Sequence, residues 1–119
     1  MPDKPDQALP LDAGVLLKPG DTALVTDHLG RATWCNDEAE RVFGIAAHEM
    51  AGLPLGVVCG GLSGTVQVNV EAVLAGRDFA GGVDCVHKSG KRIDLYAFAT
   101  AGRDSAGAVA GVVFIARDV

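Results

Sequence analysis

Residues 79–100, FAGGVDCVHKSGKRIDLYAFAT, decide the fold. From Arg92 to Thr100 the side chains alternate: Leu95, Ala97 and Ala99 fall on one face, Tyr96 and Phe98 on the other. That is the period-2 signature of a strand. Phe79 to His87 is a second strand, and Lys88-Ser89-Gly90-Lys91 between them is a hairpin turn. Past a polar loop from Gly102 to Gly107, Ala108 to Ala116 supplies a third strand.

Working back towards the N-terminus, the elements shorten. Thr22 to Thr26 is a short apolar strand, Asp27-His28-Leu29-Gly30 a turn, and Arg31 to Cys35 the returning strand. Asn36 is placed to cap a helix by accepting hydrogen bonds from its first free N–H groups. Asp37, Glu38 and Glu40 then suit the positive end of the helix dipole. Ala39, Val42 and Phe43 give the apolar face, and Gly44 the left-handed stop. A second helical turn runs from Ala46 to Ala51 and ends at Gly52. Leu53 to Gly64 holds four glycines and one proline and reads as loop. Val66 to Leu74 is ambiguous. Its valines alternate as in a strand, which their β-branching favours, yet Val66, Val70, Val73 and Leu74 also keep helical spacing, with Ser63 as a cap. Residues 1–8 are polar and carry two prolines. Leu9, Leu11 and Val15 to Leu17 fit one short apolar-faced helix, stopped by Pro19-Gly20. Two short strands, helices, then three long strands is an α+β order.

Composition bounds what such a domain does. The chain has 119 residues, one domain's worth, with 49% hydrophobic and 21% charged side chains. Only 5% are aromatic, so the core is built of Val, Leu, Ile and Ala. The formal charge of −5 opposes a phosphate backbone and argues against direct nucleic-acid binding. No apolar run approaches the roughly 20 residues that span a bilayer, and no secretory h-region follows Met1. A cytoplasmic setting without membrane contact is the expectation. Cys35, Cys59 and Cys85 are odd in number and lack CxxC spacing, so they read as small buried hydrophobes.

Catalytic chemistry finds no constellation. There is no G-x-S-x-G and no Cys…His order of a thiol enzyme. Gly60-Gly61-Leu62-Ser63-Gly64 lacks the G-K-[ST] ending of a phosphate loop. Cys85 and His87 share a strand face, but two candidate ligands without a third do not make a metal site. His28 lies in a turn and His48 on a short helix, both expected in solvent. Trp34 is a core or interface aromatic, or else the wall of a pocket. The chain is not expected to be an enzyme.

Several pieces in order resemble the PAS family of sensory domains. Leu24 to Arg31 is similar to its opening hairpin, an apolar run followed by D-x-x-G. Asn36-Asp37-Glu38-Ala39-Glu40 with Phe43-Gly44 resembles its N-x-A-x-E…G helix, and Glu49 and Gly52 its following E-x-x-G. Lys88-Ser89-Gly90 resembles the K-D-G hairpin. Arg103 to Gly107, Gly111 and the closing Arg117-Asp118-Val119 resemble its last hairpin and D-I/V end.

The resemblance implies an α+β PAS-like fold, a five-stranded antiparallel sheet with short helices and one longer helix packed on one face. Residues 1–11 would be a flexible tail and 12–119 the PAS domain, with Val66 to Leu74 in the long crossing helix. An apolar pocket would be lined by Leu95, Ala97, Ala99, Val112 and Phe114 from the sheet and closed by Phe79, Val70 and Leu74. The family's flavin–cysteine chemistry needs an N-C-R-F-L-like stretch, where Gly52 to Gly56 has neither Cys, Asn nor Arg. Its haem sites use a histidine on the crossing helix, and Ser63 to Arg77 has none. No cofactor is therefore expected, and the ligand would be a small apolar molecule. Tyr96 and Phe98 would cover a flanking helix or the partner in a homodimer. The sequence ends at Val119 without the flanking helix that usually follows the last strand. That implies a piece of a larger bacterial regulator with a kinase, cyclase or DNA-binding output domain. The alternative is a ligand-free dimerisation module with a filled core.

Overall fold

The structure, a computed structural model, describes residues 9–14, 17–60 and 69–118. Five strands form one antiparallel sheet: β1 (Thr22–Thr26), β2 (Ala32–Cys35), β3 (Phe79–Val86), β4 (Arg92–Arg103) and β5 (Val109–Asp118). Their spatial order is β2-β1-β5-β4-β3, so the first strand pairs with the last at the centre. Four helices are described between β2 and β3: α1 (Asp37–Phe43), α2 (Ala47–Met50), α3 (Leu55–Gly60) and α4 (Val70–Leu74). Their buried side chains meet Leu24, Leu95, Ala97, Ala99, Val112 and Phe114 in a single core on one face of the sheet, here the inner face.

Three of the hairpin and loop turns are built alike. Asp27, His87 and Asp104 each accept the N–H of the residue two positions on, at 2.8, 3.0 and 2.9 Å. Each is followed three residues later by a glycine at positive φ, Gly30, Gly90 and Gly107, whose N–H bonds back to the first residue's carbonyl. A short polar side chain that mimics a backbone turn, plus a glycine free to adopt φ > 0, is what a tight reversal needs. The histidine takes the carboxylate's place through Nδ1.

Asn36 caps α1 as expected, accepting from the Ala39 N–H at 3.0 Å. It also accepts from the Ala23 N–H at 3.1 Å and donates Nδ2 to the Asp21 carbonyl at 2.8 Å, so one buried amide fastens α1 to the start of β1. At the other end of α1, Gly44 sits at φ 72°, where a larger residue is strained. The His87 ring packs directly against it, and Phe43 O accepts the Lys88 N–H at 2.9 Å. The β3–β4 turn is thereby docked on the end of α1.

Four local expectations differ from the structure. Leu53 to Gly64 is not all loop: α3 starts at Leu55, since Pro54 supplies its first carbonyl and Leu55 and Val58 are buried in the core. Among the described helices the crossing one is not the longer. Asn69 is extended, caps Ala72 N–H with its side chain, and starts a five-residue α4 at Val70. Ser63 and Val66 lie outside the described residues. The segment from Leu9 to Leu17 is also not helical where described. Gly14 takes φ 70°, and Asp12 exchanges both backbone hydrogen bonds with Arg103 at 2.8 and 2.9 Å. The boundary at residue 12 falls within this strap, whose Leu9, Leu11, Ala13 and Leu17 pack on the outer face of the sheet. β4 runs on to Arg103 to meet it, past the expected end at Thr100.

Candidate pocket floor and outer sheet face

The strand register builds the inner face row by row. Gly81 lies opposite Ala97, and Ala97 opposite Ala116, which makes a band of three small residues across β3, β4 and β5. The next row is large: Phe79 opposite Ala99, Ala99 opposite Phe114, and Phe114 opposite Leu24 of β1. On the other side, Val83 faces Leu95. Bulky rows therefore flank a trough of Gly and Ala side chains, and side chains from all four helices join the same core.

All eight residues expected to line a pocket belong to this cluster. Leu95, Ala97, Ala99, Val112 and Phe114 are buried, and Val70, Leu74 and Phe79 are partly buried against them. Sequence reasoning missed Gly81 and Ala116, although each is two residues from a chosen position. It also missed Leu24, Phe43, Met50, Val58 and Val73, whose place depends on how separate elements meet.

The surroundings set what the trough accepts. Buried polar residues are Asp21, Thr22, Thr26, Asn36 and Thr100. Among the described residues no buried side-chain nitrogen or oxygen lacks a partner. Among the described residues the inner face thus offers apolar surface and no unpartnered buried polar atom. Cys85 lies in this core, and burial, then Glu40 and Asp37, push the half-buried Cys35 thiol up to about 11. A protonated thiol is a poor nucleophile. No group of three potential metal ligands occurs among the described residues. His28 and His48 are exposed and His87 is engaged in its turn. No described helix is long and apolar enough to cross a membrane.

An open cleft of about 500 Å³ lies elsewhere, between the strap and the β4–β5 turn. Its polar groups serve the turn itself: Asp104 Oδ1 accepts two N–H groups and Arg103 Nη1 donates to Gly107 O at 2.9 Å.

The outer face has two halves. Over β1, β2 and β5, Val25, Trp34, Val113 and Ile115 are covered by the strap. Trp34 is therefore an outer-face aromatic and no wall of the inner trough. Over β4, Tyr96 is 55% exposed and Phe98 half-buried, beside the small Ala80 and Gly82 of β3. Arg92, in contact with Asp84 and Asp94, forms a charged rim at the turn end.

A sheet in this order, with its helices inserted between the second and third strands and packed on one face, defines a small α+β domain with an apolar centre. A family model described as the PAS fold matches residues 20–119, and the chain belongs to that family. Solved structures agree in fold. The PAS domain of a Colwellia psychrerythraea protein is similar at TM-score 0.69 and 20% identity, over 83% of this chain and 86% of that one. A domain of a sensory box sensor histidine kinase/response regulator from Geobacter sulfurreducens gives 0.69 and 20%, over 84% of each. The Vibrio cholera VqmA–ligand–DNA complex gives 0.69 and 16%, over 85% of this chain and 46% of that one. No curated protein shows significant sequence similarity to the chain.

Proposed function

We propose that this chain is the sensory domain of a larger bacterial signalling or transcription-regulatory protein, and that it binds a small apolar molecule over the Gly81–Ala97–Ala116 band. That band supports the reading, because its residues are small and bulky rows flank it on the face that the helices cover. Binding shifts an equilibrium that a kinase, cyclase or DNA-binding output domain reads. The Geobacter and Vibrio structures, a kinase/response-regulator domain and a DNA complex, support an output of that kind. The domain works in the cytoplasm, without catalysis, haem, flavin or direct nucleic-acid contact.

The second reading is a ligand-free dimerisation module, favoured by the exposure of Tyr96 on the outer face. Ala97→Leu separates the two. In a filled core the added atoms cost about 1–3 kcal/mol through overpacking. Over a real cavity they are neutral or stabilising, and they weaken ligand binding. A ligand at about 100 times its Kd raises wild-type stability by roughly 2.7 kcal/mol. Thermal melts of both proteins against a library of small apolar molecules are expected to show wild-type shifts that Ala97→Leu abolishes. A strongly destabilised variant, with no molecule shifting the wild type, supports the dimerisation module instead.

A further inference from the structure

Asp21 stands where three parts of the fold meet. Its Oδ1 accepts Arg117 Nε at 2.8 Å, from the end of β5. Its Oδ2 accepts the Lys18 N–H at 3.0 Å, from the strap turn. Its carbonyl accepts Asn36 Nδ2 at 2.8 Å, and Asn36 Oδ1 in turn holds the N–H groups of Ala23 and Ala39. The carboxylate is only 4% exposed and Asn36 is equally buried, so solvent offers neither a ready substitute for these bonds. Arg117 lies opposite Tyr96 in the outer face, while Ala39 is in the inner core. One continuous set of hydrogen bonds therefore crosses from the helix layer, past the edge of β1, to the last residues of β5.

We propose that Asn36, Asp21 and Arg117 form a polar relay that couples the start of α1 to the end of β5, so that a displacement of α1 changes how firmly those last strand residues are held. The use of this relay in signalling rests on the sensory reading above; the coupling itself does not require a ligand. Asn36 reaches Asp21 through the backbone carbonyl, and Asp21 reaches Arg117 through a charge-assisted side-chain bond, so both ends of the relay meet at one buried residue.

Amide hydrogen exchange on the whole chain without ligand tests this. Arg117→Gln is expected to speed exchange about tenfold at Lys18, Ala23 and Ala39, relative to amides in the middle of β4, which lies inside the sheet and reports global opening. Arg92→Gln, which removes another outer-face ion pair, leaves those three amides at wild-type rates. Asn36→Ser, which keeps a capping oxygen but loses the donor to Asp21, speeds exchange at Arg117. Should Asn36→Ser fail to fold, the Arg117→Gln arm decides alone. Wild-type rates at Ala23 and Ala39 in Arg117→Gln overturn the relay, even if Lys18 responds. A failure of the ligand screen leaves this result untouched, so the two readings fail separately.

Discussion

Asp21 also gives the domain a pH dependence whose sign is fixed by its partners. Burial alone raises its carboxyl, but the Arg117 guanidinium and the Lys18 N–H and charge together hold it below the usual carboxylate range. A carboxylate with a lowered folded pKa contributes stability that is fully present above its unfolded value, about 3.9, and is lost as pH falls through the folded value. Asp21→Asn is therefore expected to cost about 1–2 kcal/mol at pH 7, discounted because Arg117 is 57% exposed. The gap between wild type and variant closes below about pH 4. Thermal melts from pH 2 to 7 check this, and a constant gap contradicts it. Cys35 makes a second residue-scale prediction. With its thiol raised to about 11, alkylation at pH 8 is expected to be slow and to climb with pH well beyond the range of an ordinary thiol near 8.5. Peptide mapping by mass spectrometry separates it from Cys59 and Cys85, and a rate plateau by pH 9 contradicts it. The capping role of Asn36 was legible because the N–H group it accepts from follows within three residues. Its bond to Asp21 was not, since that partner lies 15 positions back and is reached only when β1 and α1 pack.

At the scale of elements, the strands and turns were readable because their signals are local. Period-2 alternation placed β4, and D-x-x-G or K-S-G placed the turns, each satisfied by a side-chain acceptor and a glycine within four residues. The strap and α4 were not readable, because their form depends on distant partners. Leu9, Leu11 and Val15 to Leu17 suit a short helix as a sequence, yet Asp12 pairs with Arg103, and Leu9, Leu11 and Leu17 pack on the apolar sheet face. Gly102 is the residue that admits them. A Cβ there would lie 2.8 Å from Leu11 Cβ and 2.9 Å from Val113 Cγ2. Gly102→Val is therefore expected to lift the strap while the inner core stays intact. Leu11 is partly buried, so its loss costs less than the roughly 1.5–3 kcal/mol of a fully buried leucine. Exchange at the Asp12 amide, which donates to Arg103, is expected to accelerate while amides of α1 keep their protection. Unchanged protection at Asp12 contradicts the assignment of Gly102 as the strap's seat.

At the scale of the whole molecule, the order β2-β1-β5-β4-β3 does not follow from periodicity. Alternation fixes which residues share a face, but not which strand lies beside which; the family resemblance implied five antiparallel strands without their order. The inner trough was legible for the same mixed reason: alternation grouped Leu95, Ala97 and Ala99, while register alone brought Gly81 and Ala116 into line with Ala97. The outer face carries the remaining prediction. Where the strap covers it, the apolar side chains are out of water. Over β4 they are not, and Tyr96, Phe98, Ala80 and Gly82 leave a shallow apolar strip with charges of Asp84, Arg92 and Asp94 at its end. Tyrosine at the centre of such a strip is the residue type that interfaces favour, and a second copy presenting the same strip forms a two-fold contact. We expect weak self-association through this strip. Tyr96→Glu places a carboxylate in the contact, which must shed its water on association even with Arg117 opposite it, and is expected to weaken dimerisation roughly tenfold or more without lowering monomer stability. Sedimentation velocity over a concentration series measures both. If wild type and Tyr96→Glu remain monomeric alike up to about millimolar concentration, the strip is no dimer interface, since a contact with Kd near 1 mM contributes only about 4 kcal/mol.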